Sequence, residues 1–306
     1  MSTKTDADAL ITQTENEGNR IIAELERILQ HAEELNLEPF RNSDFSQLID
    51  LEIEDNLEPS QNNTHSLSIT NSCIQITDSD LNTETIELTD QGNNMYGQAI
   101  ASYRGYFYSI GGSTLSGQTS KLVSVYASNG EVKRSAALLS KKRKFSACVE
   151  INRNLFIIGG QKHKGAGINK IEVINLENFQ NTYHQLDLSI GRRFPSVCVF
   201  NDFLYVASSE NRVIEKFDPE NLGLKTKFEV EEVENVYFIA QVDKYLVAFG
   251  EGGYAFFDVK DRVCKFVRKE VEVMQWSQSG CGVSEDEVFF KDYFSGEVRR
   301  ISLELP

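Results

Sequence analysis

Four consecutive cations, Lys141, Lys142, Arg143 and Lys144, stand in the stretch LLSKKRKFSACVEINRNLFIIGG at 138–160. Such a run can hold an anionic partner, serve as an import signal, or belong to the fold. More cations follow, with Lys162, His163 and Lys164 in QKHKGAGIN and then Arg192 and Arg193. Other chemistry is thinly represented. The histidines are His31, His65, His163 and His184, and the cysteines Cys73, Cys148, Cys198, Cys264 and Cys281 form neither a CxxC pair nor a Cys/His cluster with zinc spacing. No P-loop, GxSxG, HExxH or EF-hand pattern occurs. The glycine-rich GEGGY at 250–254 joins two expected strands instead of opening a helix, so it reads as a tight turn and not a phosphate cradle. Carboxylate pairs such as Glu231 and Glu232 carry no local signature of acid–base catalysis. No catalytic, cofactor-binding or metal-ligating residue is assigned.

The elements that position the cations come from a repeat. Leu139, Ser140, Arg143, Phe145 and Leu155 recur 49 residues on as Leu188, Ser189, Arg192, Phe194 and Leu204. Arg143 and Arg192 therefore read as repeat-register residues that pair with neighbouring carboxylates or carbonyls. Lys141 and Lys142 have Ile190 and Gly191 as counterparts, so they are charge beyond what the repeat requires.

Charge is distributed unevenly over the 306 residues. Residues 1–90 hold 20 acidic and 4 basic side chains, a net of −16, whereas residues 91–306 hold 26 and 27, a net of +1. The overall −15 belongs to the first part, and the remainder can carry local patches of either sign. Five scattered cysteines suit reduced thiols in a cytosolic protein. The start lacks a signal-peptide pattern and no run approaches the length of a membrane span, so neither secretion nor membrane insertion is expected.

Three regions follow. In residues 1–38, Ile21, Leu25, Ile28, Ala32 and Leu35 step by four and three, which predicts an amphipathic helix. That seam either packs on its own domain or forms a short coiled coil that supports self-association. Residues 39–65 form an acidic linker whose alternating LIDLEIE also permits a first strand. From 66 to 306 the texture is short apolar runs between polar turns. YFYSIGG, LFIIGG, LYVASS, YLVAFG and VFFKD recur with a period of about 45 residues. Each of the first four is followed by a strand entering a polar turn: VSVYASNG, IEVINLEN, IEKFDPEN and AFFDVKD. CIQITDSD and RRISLE add a copy of this second signal at either end.

A four-stranded unit of this length, with Gly-Gly closing its second strand at Gly111-Gly112 and Gly159-Gly160, resembles the kelch repeat of β-propellers. The resemblance covers about 66–306 and departs from the pattern where Ser208-Ser209 and Phe249-Gly250 replace the glycines and where a fourth-strand tryptophan is lacking. It implies an all-β kelch-like propeller of four-stranded blades, with an N-terminal α-helix outside it. Six third-strand signals favour six blades. The alternative is a five-bladed ring in which N-terminal strands complete the last blade.

Kelch-type copper oxidases need Tyr, Cys and His ligands converging on the channel, and sialidase-like propellers need an arginine cluster with Asp-box turns; neither set is present. In an antiparallel blade the loops joining strand four to strand one and strand two to strand three emerge on one face. Lys141, Lys142, Arg143, Lys144, Lys162, His163, Lys164, Arg192 and Arg193 are expected to crowd one sector of that face. An acidic protein partner suits this charge. Nucleic acid does not, because aromatic residues are not interleaved with the basic ones and the region is only +1. The expected function is a non-enzymatic interaction scaffold in the cytoplasm, associated with the cytoskeleton on the family resemblance. A substrate adaptor for a larger machine such as a ubiquitin ligase and a degenerate propeller enzyme are the alternatives.

Overall fold

The computed structural model describes residues 65–306 except 70–71, 90–94, 137, 163–164, 221–222, 232, 234, 259–262, 269–281, 285 and 292–297. The expected helix of 1–38 and nearly all of the linker of 39–65 lie outside the described residues. The described residues form one compact unit.

Six antiparallel sheets follow one another along the chain. The first comprises β1 (Ser66–Ile69), β2 (Cys73–Thr77) and β3 (Thr83–Glu87). The second has β4 (Met95–Tyr103), β5 (Tyr106–Thr114), β6 (Val123–Tyr126) and β7 (Val132–Ala136). The third has β8 (Ala147–Ile151), β9 (Asn154–Ile158), β10 (Ile168–Asn175) and β11 (Asn181–Arg192). The fourth has β12 (Pro195–Phe200), β13 (Phe203–Ser208), β14 (Val213–Phe217) and β15 (Leu224–Glu229). The fifth has β16 (Val236–Val242), β17 (Tyr245–Gly250), β18 (Gly253–Asp258) and β19 (Val263–Arg268). The last has β20 (Gly282–Ser284), β21 (Glu287–Lys291) and β22 (Val298–Ser302).

First strands adjoin in order, β4 to β8, β8 to β12, β12 to β16 and β16 to β20, while β1 touches both β4 and β21. That closed succession is a six-bladed propeller. Arg300 Nη2 helps close it by donating to the Ser79 carbonyl at 2.6 Å. Of the two ring closures the repeat allowed, an incomplete early blade is the one realised. CIQITDSD supplies the middle strand of the first sheet, and residues 83–87 pair with it. Among the described residues the first and last blades have three strands where four were expected. The first lacks an opening strand and the last a fourth.

The continuous apolar runs of the second strands follow from this arrangement. A blade is covered on both faces, so consecutive side chains are buried against different neighbours. Leu155 and Ile157 of β9 pack with Ile110 and Val123 of the preceding blade. Phe156 and Ile158 pack with Leu204 and Val206 of the next. Further buried clusters join blades one and two, four and five, and five and six.

Candidate functional site

The junction from β7 to β8 carries Arg143 and Lys144, and the junction from β11 to β12 carries Arg192 and Arg193. Both junctions hydrogen-bond to loops between second and third strands. Arg143 N–H donates to Ser120 O at 3.0 Å, and Lys144 and Gln161 exchange backbone bonds of 3.1 and 2.7 Å. The two kinds of loop thus share one face, as the repeat implied. That face is built up most in one sector: the second-to-third connections run over 115–122 and 159–167 in blades two and three but only 251–252 in blade five.

Within this sector the two repeat arginines are fully buried. Arg143 Nη2 forms an ion pair with Glu172 of β10, and Nη1 donates to the Gly159 carbonyl at 2.9 Å. Glu172 also accepts from the Ser140 N–H at 2.7 Å and from Asn181 Nδ2 at 3.0 Å. Arg192 repeats the design one blade later. Its Nε and Nη2 donate to Glu215 of β14 at 3.1 and 2.7 Å, Nη1 reaches the Val213 carbonyl at 3.2 Å, and the Ser189 N–H donates to Glu215 at 2.9 Å. Burial pushes the Glu172 carboxyl up, but the Arg143 guanidinium and the Ser140 and Asn181 donors outweigh it and hold the group below the usual carboxylate value. A buried ion pair needs further hydrogen bonds to offset its desolvation, and the Ser140 and Asn181 donors supply them to the Glu172 carboxylate.

The backbone of the same arginines faces the other way. The Gly112 N–H donates to the Arg143 carbonyl and the Gly160 N–H to the Arg192 carbonyl, both at 2.9 Å. Each arginine therefore ties its main chain to the blade before it and its side chain to the blade after it. This explains the glycine pairs. Gly159 and Gly160 have φ of 56° and 96°, and a Cβ on them would stand 2.8 Å from the Arg192 and Lys144 carbonyl oxygens.

Arg143 and Arg192 consequently have no surface to offer a partner, and the nine-residue basic sector expected from the sequence is smaller by those two. The remaining members differ in availability. Arg193 is exposed but pairs with Glu210, which also accepts its N–H at 3.1 Å. Lys144 Nζ donates to Tyr96 Oη at 3.0 Å and lies 4.8 and 4.9 Å from the Tyr96 and Phe145 ring centroids. That hydrogen bond, with one from Ser113, lowers the Tyr96 hydroxyl below its ordinary value. Lys141, Lys142 and Lys162 are exposed and make no ion pair with any described residue. His163 and Lys164 lie outside the described residues.

The sequence reading missed Glu172 and Glu215 as the arginines' partners. A signal was present, since Ile171-Glu172 and Ile214-Glu215 each place a carboxylate within an apolar third strand. Blade two has Ser124 at this register and blade five Phe256, facing Ser109 and Val247. Neither of those blades carries the pair. The GEGGY run is the hairpin turn of β17 and β18, with Gly250 opposite Gly253. No group of three or more His, Cys, Asp or Glu that could hold a metal is found among the described residues.

Fold and site together define the chain as a six-bladed β-propeller whose middle blades are linked by buried arginine–glutamate pairs. No protein-family model and no curated protein matches the sequence.

Proposed function

We propose that this propeller is a non-enzymatic, kelch-like interaction scaffold that binds an acidic protein partner through the loop face of blades two to four. The observation that carries the reading is the division of labour within the basic cluster. Arg143 and Arg192 are consumed by the fold, while Lys141, Lys142 and Lys162 stand exposed without carboxylate partners among the described residues. Unpaired cations on a rigid, raised sector offer complementarity to an acidic chain at no cost in broken internal ion pairs. The kelch likeness rests on the Gly-Gly pairs of blades two and three, and association with a cytoskeletal assembly follows from that likeness alone.

The test is binding of a polyglutamate peptide to the full chain and to the Lys141→Ala/Lys142→Ala/Lys162→Ala variant, at low and high salt. Three exposed contacts at about 0.5 kcal/mol each give an expected loss of roughly tenfold in affinity at low salt. The difference should shrink as salt rises. Equal affinity of the two proteins at low salt would remove the reading.

A further inference from the structure

Besides its lysines, the loop face carries exposed and half-buried apolar groups that a plain polyanion would not engage. Tyr96, Phe145 and Phe194 stand at the start of blades two, three and four, with ring centroids 6.0 Å apart in the first pair and 5.1 Å in the second. All three are half-buried. Phe145 sits in the middle with a left-handed φ of 57°, an uncommon conformation for an aromatic residue. Its N–H donates to the Gly97 carbonyl at 2.7 Å. A Cβ on Gly97 would meet the Phe145 ring at 2.6 Å, so the glycine makes room for this placement. Backbone strain of this kind concentrates at binding sites.

Two aliphatic side chains rise from the same rim. Leu115 is 77% exposed at the tip of the loop that leaves β5, held out by a turn in which the Thr114 N–H donates to Gln118 O at 2.9 Å. Ile190 is 45% exposed at the end of β11. A break in register places it there, because Ile168 pairs with Arg192 but Lys170 pairs with Asp187, leaving Leu188 to Gly191 opposite Asn169 alone. Bulges of this kind re-aim side chains beside functional sites. Exposed apolar residues on the same face as unpaired cations supply the two kinds of contact that a protein interface combines.

We infer that the segment this face binds is an amphipathic acidic peptide, in which carboxylates that meet Lys141, Lys142 and Lys162 alternate with aromatic or aliphatic side chains that cover Leu115, Ile190 and the Phe145–Phe194 pair. The inference rests on the acidic-partner reading and narrows it. A polyanion would satisfy the lysines and leave the apolar groups wet. An amphipathic segment satisfies both, and its apolar contacts resist salt that screens the ionic ones.

The experiment uses the full chain and three labelled synthetic peptides of equal length: Glu alternating with Gly, Glu alternating with Phe and Leu, and Gln alternating with Phe and Leu. The Glu/Phe/Leu peptide is expected to bind about tenfold or more tighter than Glu/Gly at physiological salt and to retain binding at high salt. The exposed double variant Leu115→Ser/Ile190→Ser should abolish most of that preference while leaving Glu/Gly binding unchanged. Equal affinity for the two acidic peptides, or a preference that survives the double variant, overturns the amphipathic inference and leaves the acidic reading standing. Tight binding of the uncharged peptide, or binding of none of the three, overturns both.

Discussion

Arg143 and Glu172 lie on either side of a blade boundary and meet as a fully buried ion pair. Arg143 belongs to the junction leaving blade two and Glu172 to the third strand of blade three. Because the Arg143 carbonyl also accepts from Gly112, one residue links the second strand of one blade to the third strand of the next. Arg192 and Glu215 repeat the link between blades three and four. A charge spent in this way links neighbouring blades, and the proposed recognition falls to the exposed lysines around it.

Removing one partner of such a pair strands the other charge in an apolar setting. Arg143→Met is expected to lower stability to urea by about 3–5 kcal/mol, and the double variant Arg143→Met/Glu172→Leu to recover much of that loss. A single variant within 1 kcal/mol or so of the parent would show that the pair does not stabilise the ring.

The same pair sets a pH dependence. The Glu172 carboxyl is held below its ordinary value of 4.5 in the folded chain. Its contribution is therefore complete above that value and is lost as pH falls through the lower, folded-state value. Urea midpoints followed downward from pH 6 should decline more steeply below about pH 4.5 for the parent than for the doubly apolar variant. Parallel curves would remove the role assigned to Glu172.

At the glycine pairs, Gly160→Val should destabilise the domain by about 1–3 kcal/mol or more, since φ is 96° and the added Cβ would press on the Lys144 carbonyl. Gly105 also has positive φ, but nothing lies within 4 Å of its would-be Cβ. Gly105→Ala should cost less, about 1 kcal/mol. Thermal melts of the two variants that shift equally would show that the crossing at Gly160 is looser than described.

The ring has a seam. Buried apolar clusters join each consecutive pair from blades one and two through five and six, and among the described residues none joins six to one. Among the described residues the two blades at the seam are also the three-stranded ones. Native-state hydrogen exchange should find β1 to β3 and β20 to β22 opening at lower free energy than β9, β13 and β17. Uniform protection around the ring would contradict this.

Much of the architecture was legible because propeller stacking imposes a long period. Leu139 and Leu188, Phe145 and Phe194, and the two Gly-Gly pairs mark equivalent points of successive blades, and both arginines were read as pairing residues. The identity of their partners was hidden by loop length: Arg143 and Arg192 are 49 residues apart but Glu172 and Glu215 only 43, so no single offset aligns both halves of the pair. The way the ring closes was visible only as an ambiguity between five and six blades, since pairing of residues 83–87 depends on contacts that leave no periodic trace. Ile190 was read only as the place where a lysine is missing. Its exposure comes from the register break in β11, which a pattern of apolar residues does not announce.

The proposed division of labour gives the arginines of this cluster to the fold and the exposed lysines to binding. It is tested most directly by measuring melting temperature and polyglutamate affinity together for the Lys141→Glu/Lys142→Glu/Lys162→Glu variant of the full chain. The expected result is a melting temperature within a few degrees of the parent, as for other surface changes, with loss of detectable peptide binding at low salt. Retained affinity would contradict it, and so would a collapse in stability like that expected for Arg143→Met.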